Sequence, residues 1–162
     1  MSTMLDGETL RKRLHYDAKT GVFTWKIWVN NRGYTIAGSV DPDGYRWIGV
    51  EGKRYPASRL AFLWMTGSFP ENDCDHEDGN PSNDAWENLR DATVTQNLRN
   101  KRVQSNNKLG LKGVTEHEPG KYRARIKGNG KQIHLGVFNS AEEAHQAYIV
   151  AAKKYFGAFA RG

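Results

Sequence analysis

The 162-residue chain has a single cysteine, only five prolines and no long apolar run. One cysteine, Cys74, excludes an internal disulfide and a cysteine-rich zinc site. No stretch approaches the roughly 20 apolar residues that a membrane-spanning helix needs. The first six residues also lack the basic-then-apolar pattern of a secretory signal. Membrane and disulfide-scaffold classes are therefore excluded, and we expect a cytoplasmic protein with no membrane partner.

Charge is distributed unevenly along the chain, although the net charge is only +6. Residues 71–97 carry eight Asp and Glu side chains against one Arg, whereas residues 98–162 carry thirteen Lys and Arg against four Asp and Glu. Residues 1–70 are also basic, with ten cationic and six acidic side chains. An anionic polymer is the natural partner of two basic flanks. Carboxylates close to such a polymer repel it unless a cation lies between them, so the acidic segment indicates a metal-assisted site.

Periodicity and turn signals predict a small α+β unit in the first two thirds of the chain. It is predicted to contain strands over 22–27 and 45–50 and helices over 8–15, 56–66 and 93–103. Residues 71–90, including Asn83 and Asp84, show little periodicity and are predicted as loop. Loops of this length are uncommon in compact domains and are often functional. Residues 104–110 have the composition of a linker.

The C-terminal part predicts three short strands and one helix. The strands fall over 111–115, 121–127 and 131–137, with turn residues in both connections. Ser140 followed by Glu143 is typical of a capping box and predicts that a helix begins there and runs to about Phe156. The predicted fold class is therefore α+β, with a small N-terminal α+β support followed by a three-stranded antiparallel sheet packed on one helix.

Alternation along these strands predicts two chemically different faces. Ala124 and Ile126 point to one side, with Ile133 and Leu135 matching them on the next strand. The other side carries cationic and hydrogen-bonding groups from Arg123, Arg125, Lys127, Gln132 and His134. Because Arg and Lys contact base edges and phosphates, this second face is a candidate for binding nucleic acid.

The acidic segment combines residue types that phosphodiester hydrolysis requires. It reads Asp-His-Glu-Asp-Gly-Asn over 75–80 and Asn-Leu-Arg over 88–90, with a further Asn at 97. Hydrolysis needs a base that deprotonates water and a cation that neutralises charge on the phosphate. A neutral His suits the base role near pH 7. Mg²⁺ prefers oxygen ligands, such as those of Asp75 and the Asn97 amide.

On these motifs, residues 71–103 resemble the phage and intron-encoded branch of the HNH nuclease family. The resemblance implies a ββα-metal core in which His76 is the general base. It implies that Asp75 and Asn97 bind Mg²⁺ or another divalent cation such as Mn²⁺. It also implies that Asn88 bonds the backbone around His76 and fixes its ring. The cations that follow the proposed ligand, Arg99, Lys101 and Arg102, are expected to contact the DNA backbone.

Residues 111–157 resemble the DNA-binding domain of plant ethylene-response factors, which also occurs behind phage HNH nucleases. The shared motifs are Lys-Gly-Val over 112–114, Gly-Lys-Tyr over 120–122, Ile-His-Leu-Gly over 133–136 and Ala-Glu-Glu-Ala over 141–144. In that fold the sheet enters the major groove and the helix packs behind it. The resemblance implies DNA contacts by Lys112, Arg123, Arg125, Lys127, Gln132 and His134.

Together these patterns predict a metal-dependent DNA endonuclease of homing or nicking type. Residues 1–103 would form the nuclease domain, 104–110 the linker and 111–162 the DNA-binding domain. Two alternatives stay open at this point: a non-catalytic DNA-binding regulator with a decayed nuclease, and a nuclease acting on RNA or single strands. The expected partner is double-stranded DNA, with no nucleotide cofactor and a monomer or weak dimer as the working form.

Overall fold

The computed structural model describes residues 5–26, 35–100, 103, 107–128 and 130–160. The chain divides into two compact units, Met1–Thr93 and Val94–Gly162. Helices and strands are mixed in both, so the predicted α+β class is confirmed. Among the described residues no helix has the length and apolar character needed to cross a membrane.

The first unit contains two helices and three small antiparallel sheets. In chain order its elements are α1 (Gly7–Arg13), β1 (Leu14–Asp17), β2 (Val22–Trp25), β3 (Ser39–Val40), β4 (Arg46–Val50), β5 (Lys53–Pro56), α2 (Ala57–Thr66), β6 (Asp73–His76) and β7 (Leu89–Ala92). A short 3-10 helix, Trp86–Asn88, precedes β7. The sheets pair β1 with β2, β4 with both β3 and β5, and β6 with β7.

The core of this unit is built where α2 packs against α1, β4 and β5. Leu10, Phe23, Ile48 and Leu60 are fully buried in one apolar cluster. Leu60 and Leu63 lie on one face of α2 and are both buried there. The helix ends at Gly67, whose φ of 83° is the left-handed conformation that favours glycine at this position. These contacts provide a rigid frame for the acidic segment that follows.

The acidic segment contains regular structure where its lack of periodicity predicted loop. β6 and β7 form an antiparallel pair in which Asp75 faces Arg90 and His76 faces Leu89. Alternation fails as a signal here because charged side chains take inward positions that apolar residues usually occupy. Asp75 and His76 are 4% and 5% exposed. The prediction of loop over these two strands was therefore wrong.

The second unit is a three-stranded antiparallel sheet covered by one long helix. Its elements are α3 (Val94–Asn100), β8 (Val114–Glu118), β9 (Lys121–Gly128), β10 (Lys131–Phe138), α4 (Ala141–Phe156) and a 3-10 helix, Gly157–Phe159. β9 is the central strand. Ala124 and Ile126 are buried against α4, as alternation predicted. Ser140 caps α4, since its Oγ accepts a hydrogen bond of 3.1 Å from the Glu143 amide.

We expect that the β1–β2 turn is held by close packing at Gly21. Its φ is 74°, and a Cβ added there would lie 2.2 Å from the carbonyl carbon of Asp84. Gly52 is a matched control, because its φ is 75° and a Cβ there would meet nothing within 4 Å. Gly21→Ala should therefore lower the free energy of unfolding by about 1–3 kcal/mol more than Gly52→Ala does. Urea denaturation measures the difference, and equal losses would contradict this packing.

Candidate active site

Asp75 is held in the β6–β7 hairpin by an ion pair with the residue opposite it. Arg90 Nε donates a hydrogen bond of 2.8 Å to Asp75 Oδ2, and their side chains are 16% and 5% exposed. Pairing and hydrogen bonding are the conditions under which a charge can be buried. Removing one member of such a pair leaves the other charge buried and uncompensated, which is strongly destabilising. The pair therefore fixes the position of the Asp75 carboxylate.

The imidazole of His76 lies close to a carboxylate and to an aromatic ring. His76 Nε2 and Asp84 Oδ1 are 3.0 Å apart, and the two side chains are 6% and 4% exposed. The Tyr45 ring centroid is 6.0 Å from that of the imidazole. Asp84 is the site residue that sequence reasoning missed, because Asn83 and Asp84 have the composition of ordinary loop. The available signal was the concentration of eight acidic side chains within residues 71–97.

A second contact holds the backbone of Asp84 from the first hairpin of the chain. The Tyr16 hydroxyl donates a buried hydrogen bond of 2.7 Å to the Asp84 carbonyl oxygen. Burial, reinforced by the nearby charge of Asp84, raises the pKa of Tyr16 above its usual value. The hydroxyl therefore stays a donor across the physiological pH range.

Asn88 closes the loop between β6 and β7. Its Oδ1 accepts from the Asp78 amide at 3.0 Å, and its Nδ2 donates to Asp78 Oδ1 at 3.1 Å and to the Asn83 carbonyl at 2.8 Å. The Asn88 carbonyl also accepts from the Glu77 amide at 2.9 Å. The described hydrogen bonds of this side-chain amide thus all go to the loop backbone and to Asp78. These contacts reach the residues immediately after His76, whereas Asp84 contacts its ring.

The hydrogen bonds around Asp78 make this loop favour an ionised carboxylate. Burial alone would raise the pKa of Asp78, but hydrogen bonds from Asn83, from the Asn80 amide and from Asn88 outweigh burial and hold that pKa below its usual 3.8. These hydrogen bonds are made to the charged form of Asp78. They therefore stabilise the loop most at pH values above the usual pKa of 3.8. The stabilisation that Asp78 contributes is therefore fully present at neutral pH and is lost as the pH falls through its lowered pKa.

The remaining residues predicted for this site lie beyond the hairpin. Asn97 and Arg99 are both in α3, in the second unit, and the pairing of Asn97 with Asp75 stays a prediction. Lys101 and Arg102 lie outside the described residues. The Arg99 guanidinium lies over the Phe156 ring, 4.7 Å from its centroid.

The donor chemistry fits a magnesium-type cation. Within the described ranges, no three His, Cys, Asp or Glu side chains form a group that could hold a metal ion. Mg²⁺ does not require such a group, since it commonly takes one or two protein oxygens and completes its shell with phosphate and water. The Asp75 carboxylate and the Asn97 amide would supply oxygen donors of that kind. The donor atoms of these two side chains are thus of the type that Mg²⁺ prefers.

The outer face of the second unit's sheet carries the cations predicted there. Strand pairing places Lys127 beside Gln132 and Arg125 beside His134. Arg123 lies on the same face, and its Nε is buried with no hydrogen-bond partner among the described residues. Lys112 differs from the prediction, because it lies in the turn before β8 rather than in a strand. Its Nζ donates a hydrogen bond of 2.6 Å to the Arg99 carbonyl oxygen.

Comparison with known proteins gives the segment around the hairpin a family. A family model described as HNH endonuclease matches residues 55–99. Protein 3.8 of Escherichia phage T7 is 42% identical over 88 residues, which are 54% of this chain and 72% of that protein. The chain belongs to the HNH endonuclease family. The matched HNH segment contains Asp75, His76, Asn88, Asn97 and Arg99, whereas the sheet of the second unit lies outside it.

Two further similarities extend beyond this segment. An uncharacterised HNH endonuclease of Acanthamoeba polyphaga mimivirus is 37% identical over 99 residues, 60% of this chain and 51% of that protein. The chain thus spans about half the length of this curated relative. A solved structure on DNA binding and cleavage by the HNH homing endonuclease I-HmuI is similar with a TM-score of 0.44 and 21% identity, covering 89% of this chain and 85% of that one.

We expect the thiol of Cys74, on β6 of the HNH hairpin, to be unreactive in the folded protein. Burial raises its pKa to about 12, despite a hydrogen bond from Ser58 that acts in the opposite direction. Since the thiolate is the reactive form, a thiol-specific reagent should label native Cys74 at least about 100-fold more slowly than the same protein in denaturant. Labelling at similar rates in both states would contradict the burial of β6.

Proposed function

We propose that this HNH protein is a divalent-metal-dependent DNA endonuclease that hydrolyses phosphodiester bonds. The observation that carries the proposal is the buried hairpin within the family segment, in which Asp75 and His76 are adjacent and each has a fixed charged partner. A candidate base that is hydrogen-bonded to a second, orienting group is an arrangement typical of catalytic sites. The mimivirus relative is itself described as an HNH endonuclease.

In the proposed reaction His76 is the general base. A neutral imidazole nitrogen takes a proton from water while the water oxygen forms its bond to phosphorus. The bond between phosphorus and the leaving sugar oxygen breaks, and that oxygen takes a proton from solvent. His76 afterwards returns its own proton to solvent, which restores the neutral ring. Asn88 supports these steps by holding the loop that follows His76.

Asp75 and Asn97 are the residues that would hold the cation, with Mg²⁺ or Mn²⁺ as candidates. When bound, such an ion supplies neutralisation of charge on the phosphate and the leaving oxygen. Arg90 positions the Asp75 carboxylate through its 2.8 Å hydrogen bond. That contact selects one orientation of a side chain that would otherwise rotate.

We propose that the second unit binds double-stranded DNA through the outer face of its sheet, as the resemblance to ethylene-response factors implies. Arg123, Arg125 and Lys127 lie on that face of β9, and Gln132 and His134 lie beside them on β10. Arg forms bidentate contacts with guanine, whereas Lys contacts phosphates as a point charge. Linking a nuclease domain to a DNA-binding domain raises the local concentration of the nuclease at the bound DNA site.

We expect His76→Ala to lower the rate of plasmid cleavage by roughly 10²–10⁴-fold, because the general base is removed. Supercoiled plasmid is incubated with protein and Mg²⁺, and open-circle and linear products are counted, which also separates nicking from double-strand cleavage. A chelator should abolish both products. His117→Ala is the matched control, since His117 is an exposed His on β8. Cleavage by His76→Ala at the wild-type rate would remove His76 from the mechanism.

We expect Arg125→Ala to weaken DNA binding and to flatten its sequence preference. Loss of one phosphate or base contact should cost about 1–3 kcal/mol and, for a phosphate contact, lower the slope of log K against log salt by about one. Lys153→Ala is the charge-matched control, because Lys153 is exposed on α4, away from the sheet's outer face. Fluorescence anisotropy at several salt concentrations measures both variants. Equal effects of the two variants would show that the outer face of the sheet is not the surface that recognises DNA.

A further inference from the structure

We propose that Asp84 is a positioning residue that holds the His76 imidazole in one orientation and in one tautomer. The inference rests on the proposed function, because it gives the orienting partner of the general base. Its direct support is the 3.0 Å separation of His76 Nε2 and Asp84 Oδ1, with both side chains almost completely buried.

The chemistry of the pair determines which nitrogen carries the proton. An ionised carboxylate has acceptors only, so the nitrogen that faces it must be the donor. The neutral ring then carries its hydrogen at Nε2 and its lone pair at Nδ1. On this proposal Nδ1 is the nitrogen that accepts the proton of water. The Tyr45 ring also lies near His76, 6.0 Å away centroid to centroid, with the two ring planes tilted by 59°.

Asp84 can position another residue because the backbone of Asp84 and of nearby Trp86 is held by three contacts with the β1–β2 hairpin. The Tyr16 hydroxyl bonds the Asp84 carbonyl at 2.7 Å. The Trp86 amide donates a hydrogen bond of 2.9 Å to the Ala18 carbonyl. Gly21 packs so closely that a Cβ would lie 2.2 Å from the Asp84 carbonyl carbon. The carboxylate is therefore presented by a packed scaffold, although the segment around it has no strand or α-helix.

Three alternatives to a positioning role are separable by experiment. The pair could serve folding alone, Asp84 could contribute only negative charge, or the ring could be held by its strand without help. A structural role changes stability but not the tautomer of a folded variant. If Asp84 contributed only its negative charge, Asp84→Asn and Asp84→Leu would have equal effects, because both remove that charge. A ring held by β6 alone would keep its tautomer in every variant.

The first experiment is nitrogen-15 NMR of metal-free protein with labelled histidine, at a pH well above the ordinary His pKa of about 6.5. The chain has five His residues, and the spectrum of His76→Gln identifies the signals of His76. We expect wild-type His76 to show the Nε2–H tautomer. Asp84→Asn should retain it, because an amide oxygen also accepts a hydrogen bond. Asp84→Leu should lose it and show mixed tautomers. A wild-type Nδ1–H tautomer would overturn the proposal without any variant having to fold.

The second experiment measures single-turnover cleavage and DNA affinity in the same variants with Mg²⁺. Asp84→Leu should slow cleavage on the order of 100-fold with DNA affinity unchanged, because a misplaced base loses its reactive geometry. Asp84→Asn should recover most of that loss. Glu87→Leu is the matched control, since it removes an exposed carboxylate three residues away and should cleave as wild type does.

The outcomes separate the two proposals. The role of Asp84 is overturned if the Asp84→Leu variant cleaves at the wild-type rate, or if its His76 keeps the wild-type tautomer. Either result leaves the nuclease proposal standing. Equal loss of cleavage in Asp84→Asn and Asp84→Leu also overturns it, in favour of a role for charge alone. A wild-type protein that does not cleave overturns the nuclease proposal, and the NMR result still decides the orientation of His76.

Discussion

The site depends on the burial of an ion pair and of an imidazole–carboxylate pair in one short hairpin and its loop. Asp75, His76 and Arg90 lie in the two strands, at positions that apolar side chains fill in most small sheets, and Asp84 lies in the loop between these strands. Burying an unpaired charge is costly, so each of these groups is tolerated only because its partner lies within hydrogen-bonding distance. The same pairing leaves each side chain with one favoured orientation. Stability and site geometry are thus set by the same contacts.

The frame around this hairpin explains how so polar a segment folds. The apolar cluster of the first unit, with Phe23, Ile48 and Leu60 at its centre, supplies the burial that the hairpin lacks. Asn88 then ties the loop together through an amide that both donates and accepts. The acidic segment is therefore not simply a solvated face. Asp75, Asp84 and His76 are buried, while residues such as Glu77 and Glu87 remain exposed.

The central strand and the long helix of the second unit were predictable because their signals are local. Alternation along 121–127 identified the buried Ala124 and Ile126, and Ser140 with Glu143 identified the start of α4. The same rule failed over 71–90, where β6 and β7 bury charged residues and so lack an apolar alternation. Lys112 was placed in a strand although it lies in the turn before β8. Hydrophobic periodicity detects the burial of apolar side chains. It gives no signal where polar side chains are buried instead.

The order and types of the residues alone determined the chemistry that is available: an imidazole beside a carboxylate, amides at the spacing of the HNH motif, and cations alternating with apolar residues near the C-terminus. Only the tertiary structure decided which partner each group has. Asp84 contacts His76 from eight residues away, and its carbonyl is held by Tyr16 from 68 residues away. Such partners are brought together by the packing of the β1–β2 turn against the acidic segment, and no local pattern encodes a contact made across that distance.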